Sequence, residues 1–216
     1  MVLQSFNVEG DIPRLVMLGN SNVGKSSVVK YLLTDKKLAT GAIGKHAGST
    51  VSLKLYDDRN LPYQIIDMPG FGVMTRTSKK MQDKIYDKII QYVEGDRGNI
   101  FLALVIINAI RVEDELKKWY YENKKTIPLS YEFVMWLNDI GLPSIVVLNK
   151  IDKLKKYQLR NVEKEIHKVI YELGVPIVGF DAESGLLEIL KVSTKNGKNM
   201  KTLRRHINQR YQMIFS

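Results

Sequence analysis

Apolar runs of strand length alternate along the chain with longer segments that have helical periodicity. The first pair is RLVMLG at residues 14–19, followed by the helix-like KSSVVKYLLT at residues 25–34. Two further apolar runs, VSLKLY at 51–56 and YQIIDM at 63–68, flank the turn-like DDRNLP, and their short separation predicts an antiparallel hairpin. The later strands are separated by helices, so they need crossover connections and predict parallel pairing.

The remaining elements continue this alternation. Helices are predicted over residues 79–93, 131–141, 155–174 and 200–214, and strands over residues 100–108, 143–150 and 186–193. The pattern predicts an α/β fold with a mostly parallel six-stranded sheet, one antiparallel edge strand and helices on both faces. Ligands of such sheets bind at the carboxyl ends of the strands. Segment 108–130, rich in charge and tyrosine, fits no single period and is predicted to be an insertion with some helix around residues 113–121.

The composition bounds the class of protein. A chain of 216 residues that is 44% hydrophobic fits a single domain over residues 1–216, with residues 1–12 as an N-terminal extension. A net charge of +10 favours polyanionic partners such as nucleic acid. Without cysteine the chain has no disulfide framework, thiolate metal site or cysteine nucleophile. The N-terminus has no signal-peptide pattern, and the longest apolar stretch is far below the ~20 residues of a membrane span, so we expect a cytoplasmic protein without a membrane partner.

A phosphate-binding motif follows the first strand. GNSNVGKSS satisfies G-x-x-x-x-G-K-[ST], in which Lys25 reaches the β and γ phosphates and the Ser26 hydroxyl is a ligand for Mg²⁺. A glycine-rich turn is the plainer reading, but the position between a strand and a helix favours a P-loop. The predicted nucleotide contacts of this loop are Gly19, Asn20, Ser21, Asn22, Val23, Gly24, Lys25, Ser26 and Ser27.

The hairpin strand ends in a second motif, IIDMPGFG. Asp67 at the strand tip is predicted to hold Mg²⁺, usually through water, and Gly70 to donate its backbone N–H to the γ phosphate. D-x-P-G alone could be a tight turn. Together with the upstream loop it predicts a switch that senses the γ phosphate.

The strand at 143–150 ends in NKID, which indicates guanine recognition. Asp152 can accept hydrogen bonds from the ring N1–H and the exocyclic amine, Asn149 can reach the O6/N7 side, and the stem of Lys150 can lie along the base. A polar helix cap is the alternative for the isolated tetrapeptide.

Two weaker elements complete the site. Ser193, Thr194 and Lys195 match the loose S-A-K element that closes over guanine chiefly through backbone. Thr50 is the candidate for the switch threonine that completes Mg²⁺ coordination, although a threonine before a strand is often only a β-former.

With these motifs in order, the chain resembles the EngB family (also called YihA or YsxC) of TRAFAC GTPases, in particular its archaeal members. The resemblance covers nearly the whole chain. Ala47 replaces the proline usual before the first-switch G-x-T, and Asn20 replaces a common arginine. The segments that carry it are GNSNVGKSS against G-R-S-N-V-G-K-S-S, DMPGFG against D-x-P-G-[YF]-G, NKIDK against [TN]-K-x-D-K, and STKNGKNM against S-x-K-x-G-x-x-[IL].

The resemblance implies a Ras-like G domain of the P-loop NTPase fold that binds GTP and GDP with Mg²⁺ and hydrolyses GTP slowly. Lys25, Thr50 and Gly70 would act at the γ phosphate. It also implies a role in assembly of the large ribosomal subunit, with a precursor particle or rRNA as partner; bacterial members are tied to cell division through this role. We expect a monomer. The alternative is a nucleotide-gated module that binds RNA or protein with negligible turnover.

Phe71 and the basic clusters raise further expectations. In Ras-like GTPases the position of Phe71 holds a glutamine that orients water, so phenylalanine predicts slow turnover, with its ring turned away from the γ phosphate. Asn22 has two readings, a K⁺ ligand near the phosphates or a cap of its loop. The clusters at residues 153–156 and 195–205 are either solvated helix faces or a surface for RNA.

Overall fold

A mixed six-stranded sheet forms the centre of the computed structural model, which describes residues 2–3, 8–41, 50–71, 79–122, 126–177 and 187–215. The sheet has the order β4-β5-β2-β6-β7-β8, in which β4 is antiparallel to β5 and every other pair is parallel. Two further strands, β1 and β3, pair with each other in parallel. The strands in the described residues are β1 (Val2–Leu3), β2 (Arg14–Leu18), β3 (Thr50–Val51), β4 (Lys54–Tyr56), β5 (Gln64–Asp67), β6 (Ile100–Asn108), β7 (Ser144–Asn149) and β8 (Leu187–Lys191).

Helices cover both faces of the sheet and create two separate cores. Apolar side chains of α1 and α7 pack on one face, and those of α3, α5 and α6 pack on the other. No helix among the described residues is long and apolar enough to cross a membrane. The α-helices are α1 (Lys25–Leu32), α2 (Lys36–Gly41), α3 (Lys79–Gly95), α4 (Val112–Leu116), α5 (Leu129–Asp139), α6 (Lys156–Glu172) and α7 (Met200–Phe215).

The predicted architecture is confirmed, with differences in detail. The sheet has the expected six strands and one antiparallel edge pair. The run at residues 51–56, predicted as one strand, is divided, because β3 pairs with β1 while β4 joins the main sheet. The insertion has its predicted helix, but α4 continues as a π-helical turn, Lys117–Tyr121. Helix α2 was not predicted from the pattern.

The sheet direction determines where the loops meet. Strands β2, β5, β6, β7 and β8 run in parallel, so their carboxyl ends lie at one edge of the sheet. The loops that begin with Gly19, Met68, Lys150 and Val192 all leave the sheet at this edge. The four predicted motif segments are therefore neighbours in space, although the chain separates them widely.

A buried carboxylate joins the end of α1 to the hairpin of β4 and β5. Asp58, 2% exposed, accepts hydrogen bonds from the Thr34 hydroxyl at 2.7 Å, from the Thr34 amide at 2.7 Å, and from the amides of Asp35 and Asn60 at 3.0 and 3.1 Å. Burial alone would raise the pKa of Asp58, but these hydrogen bonds outweigh it and hold the pKa well below its usual value. The ionised carboxylate is thus part of the fold.

We predict that Asp58→Asn lowers the free energy of unfolding by about 2 kcal/mol, because the amide's NH₂ group would face backbone N–H donors. Because the folded pKa is depressed, this stabilisation is present above the pKa of the unfolded chain and is lost as pH falls through the folded value. Urea denaturation near pH 7 measures the loss. Asp57→Asn, at the neighbouring exposed position, is the matched control. Equal stability of the two variants would contradict the assignment.

Candidate nucleotide-binding site

The loop between β2 and α1 has the backbone form of a phosphate cradle. Gly24 is the N-cap of α1 with φ 104°, and Asn22 also has positive φ, at 65°. A Cβ on Gly24 would overlap the side-chain nitrogen of Asn149, so only glycine fits there. The Lys25 ammonium donates to the carbonyls of Gly19 at 2.8 Å and Asn20 at 3.0 Å, which places it in the mouth of the loop.

Opposite charges lie at the phosphate end of the site. Burial lowers the pKa of Lys25 to about 8, while the charge of nearby Asp67 acts to raise it. Burial likewise raises the pKa of Asp67, against the opposing effects of Lys25 and of the Ser26 hydroxyl, which donates to Asp67 Oδ2 at 3.1 Å. Both side chains thus pay a desolvation cost that an ionic ligand would offset.

These donors fit the requirements of Mg²⁺. The Ser26 hydroxyl and the Asp67 carboxylate are hard oxygen ligands at adjacent positions. Asp67 Oδ1 is buried, and nothing in the described part of the chain donates a hydrogen bond to it. The described residues contain no cluster of three or more acidic, histidine or cysteine side chains suited to a metal ion. Mg²⁺ bound with a nucleotide takes one or two carboxylates plus phosphates and water, so it needs no such cluster.

The segment after β5 contacts the P-loop directly. The Ser21 amide donates to the Phe71 carbonyl at 3.3 Å, and Asn20 and Phe71 form a β-bridge. A Cβ on Gly70 would lie 2.6 Å from Ser21 Oγ, so the close approach requires glycine. The Phe71 side chain points the other way: it is 3% exposed, and its ring centroid lies 4.4 Å from that of Phe133 on α5.

Asn149, at the end of β7, connects three loops. Its side chain is fully buried; Nδ2 donates to the Val23 carbonyl at 3.0 Å, and Oδ1 accepts from the amides of Lys150 at 2.8 Å and Thr194 at 3.2 Å. Sequence reasoning placed this amide against the base. The structure shows its bonds within the protein, which no local pattern indicates, and its contact with O6/N7 stays a prediction.

The proposed base-recognition side chains lie beside this junction. Asp152 Oδ1 accepts from the Ser193 hydroxyl at 2.6 Å, and this hydrogen bond is the main reason that the pKa of Asp152 is lowered. Lys150 donates from Nζ to the Asn22 carbonyl at 2.6 Å, so its stem extends toward the P-loop. Lys195 is exposed, and its charge also lowers the pKa of Asp152.

The structure brings together all the predicted site residues with described side chains, in two groups. The phosphate group is formed by residues 19–27 with Asp67 and Gly70, and the base group by residues 149–152 with 193–195. Thr50 begins β3, but its side chain lies outside the described part of the chain, as does Ala47. The predicted place of Thr50 in Mg²⁺ coordination stays a prediction.

Known proteins share this architecture and sequence. The family model described as 50S ribosome-binding GTPase matches residues 14–150. The probable GTP-binding protein EngB of Pyrococcus abyssi is 31% identical over 99% of this chain and 93% of its own length. The corresponding protein of Methanococcus maripaludis is 37% identical over 75% of this chain and 66% of its own length.

Solved structures agree with this similarity. The crystal structure of a probable GTP-binding protein engB matches with a TM-score of 0.74 and 30% identity, covering 93% of this chain and 99% of that one. Elongation factor SelB of Methanococcus maripaludis, in complex with a GTP analogue, matches with a TM-score of 0.58 at 15% identity, over 95% of this chain and 35% of that one. The second match shows the shared fold alone. The predicted resemblance is confirmed: the chain belongs to the EngB family of GTP-binding proteins.

Proposed function

We propose that this chain is a slow, Mg²⁺-dependent GTPase switch that acts on a precursor of the large ribosomal subunit in the cytoplasm, as a monomer. The observation that carries the catalytic part is the junction at Asn149, which joins the phosphate group of residues to the base group. One nucleotide bridging the two groups would contact the P-loop with its phosphates and Asp152 with its base.

At the phosphate end, the protein supplies charge and fixed dipoles. Hydrolysis would proceed by in-line attack of water on the γ phosphate, with the leaving GDP oxygens facing the Lys25 ammonium and the P-loop amides. Because the pKa of Lys25 is about 8, this lysine is mostly charged at neutral pH, and bound phosphate would favour its charged form further. Mg²⁺, held by Ser26 and Asp67, would neutralise phosphate charge. The role of Thr50 is proposed from the family alone.

At the base end, the lowered pKa of Asp152 favours the ionised carboxylate that guanine recognition needs. The Ser193 hydroxyl orients one oxygen at 2.6 Å. The ring N1–H and exocyclic amine of guanine are two donors for this carboxylate. Adenine lacks this donor pair, so its binding would leave polar groups unpaired at a cost of about 1–3 kcal/mol each.

The position of Phe71 explains why we propose slow turnover. Its ring packs against Phe133 instead of facing the P-loop, and it has no group that could orient water. A K⁺ ion held by Asn22 would supply part of the missing charge stabilisation. In the described residues the Asn22 carbonyl accepts from Lys150, whereas its side-chain amide has no hydrogen bond, which favours the ion site over a loop cap.

The ribosomal partner is proposed from the family description, which names 50S ribosome binding, and from the net charge of +10. A nucleotide-gated binding module with negligible turnover is the second candidate, favoured by the same burial of Phe71. The two candidates differ in whether hydrolysis occurs on the particle.

Asp152→Asn should shift base preference from guanine to xanthine, because an amide can pair with the carbonyl that replaces the guanine amine. We expect GTP affinity to fall roughly 100-fold while XTP affinity rises. Competition against a fluorescent GDP analogue measures both, with Asp139→Asn at an exposed position on α5 as the control. If the variant retained wild-type preference for GTP over XTP, Asp152 would have no place in base recognition.

Hydrolysis should be faster in KCl than in NaCl at equal concentration, and Asn22→Ala should remove the difference. Phe71→Leu is the contrasting variant: it loses stability by about 1 kcal/mol but keeps the potassium-stimulated rate per bound nucleotide, because the ring contacts the core. Single-turnover assays measure these rates. Equal wild-type rates in both salts would eliminate the ion site, and a large rate loss in Phe71→Leu would place that residue in the chemistry.

Binding to large-subunit precursors should depend on the nucleotide. We expect co-sedimentation in the presence of a non-hydrolysable GTP analogue and release with GDP, together with faster GTP hydrolysis on the particles. Lys25→Ala, which removes the phosphate contact, is the control. Nucleotide-dependent binding without any increase in hydrolysis would support the gated module; no binding in either state would refute the ribosomal role.

A further inference from the structure

Helix α7 and the loop before it carry charge of one sign. Residues 192–215 contain six lysine or arginine residues and no aspartate or glutamate. Helices α3 and α6, on the opposite face of the sheet, mix acidic and basic residues along their length. The six cations are Lys195, Lys198, Lys201, Arg204, Arg205 and Arg210.

This arrangement is unfavourable for the isolated helix. The first turn of α7 has no acidic residue to complement the positive end of the helix dipole. Lys201 and Arg205 are exposed and four residues apart, where like charges repel. A helix selected only for stability gains from acidic residues at such positions, so an anionic partner is the simplest reason for their absence.

The charged surface continues onto the neighbouring helix. Arg204 donates from Nη2 to the Tyr31 carbonyl at 2.6 Å, which brings α7 against the end of α1. Lys36 donates from Nζ to the Lys30 carbonyl at 2.8 Å and to the Tyr31 carbonyl at 3.3 Å. Lys30, Lys36 and Arg204 are therefore gathered at one place, although they come from three different elements.

The gathered cations repel one another. The pKa of Lys36 is lowered, first by partial burial and then by the charges of Arg204 and Lys30. Asp58 acts in the opposite direction, but it is buried and its carboxylate is bound to Thr34 and the adjacent backbone amides. Asp35 is the one exposed acidic residue between positions 25 and 37.

We propose that this cationic face, defined as Lys30, Lys36, Lys201, Arg204 and Arg205, binds the phosphate backbone of RNA. The inference rests on the proposed ribosomal partner and identifies the surface that meets it. Cations spread over two helices suit an extended polyanion, and phosphate contacts of this kind position a protein without reading sequence. The exposed apolar side chains of α7, Met213 to Phe215, lie at its far end, away from the first turns that carry the charge.

The double variant Lys201→Gln/Arg205→Gln tests the proposal. We expect its affinity for a fluorescein-labelled RNA hairpin, measured by anisotropy with GDP present, to fall roughly tenfold. The slope of log affinity against log salt, between about 50 and 200 mM KCl, should decrease in magnitude by about 2 as two phosphate contacts are lost. The control, Arg160→Gln/Lys164→Gln, removes the same charge from exposed positions of α6 and should retain wild-type binding.

Further readouts separate this proposal from the proposed function. GDP affinity and GTP hydrolysis without RNA should match wild type in both double variants, because none of the four positions belongs to the nucleotide site. Equal loss of RNA binding in the two variants, or none in either, would overturn the cationic face while leaving the GTPase intact. Loss of binding to anionic phospholipid vesicles or to an acidic protein, with RNA binding unchanged, would overturn it in favour of that partner.

Discussion

The buried side-chain amide of Asn149 is the interaction on which the nucleotide site depends. It lies at the end of β7, and its hydrogen bonds reach the P-loop at Val23 and the last loop at Thr194. Loss of these bonds would leave buried backbone groups unpaired at a cost of about 1–3 kcal/mol each. Gly24 follows from the same constraint, because a side chain there would overlap the amide. One residue therefore sets the distance between the phosphate and base ends.

The phosphate end contains charged groups that the protein alone does not fully satisfy. Burial lowers the pKa of Lys25 and raises that of Asp67, so each carries a desolvation cost in the absence of ligand. Phe71 lies just beyond this polar edge and packs into the opposite core against Phe133 on α5. A change in the loop after β5 would thus be felt by α5, which gives the switch a physical connection to the rest of the domain.

Much of the fold follows from local pattern, since continuous apolar strands and strand-to-helix motifs are short-range signals. The P-loop and the order of the motifs were predictable for this reason. The division between β3 and β4 was not, because β3 pairs with residues 2–3, far away in sequence. The role of Asn149 was missed for the same reason: its partner Val23 lies 126 residues earlier in the chain. The π-helical turn at Lys117–Tyr121 has no distinctive periodicity either.

Single-turnover hydrolysis of GTP and ATP by the purified chain with Mg²⁺ tests the central claim most directly. The site geometry predicts that GTP binds and is slowly converted to GDP, while ATP at the same concentration is neither retained nor hydrolysed. Equal retention of ATP, or no retention of either nucleotide, would contradict the assignment of the loops joined by Asn149 as a guanine nucleotide site.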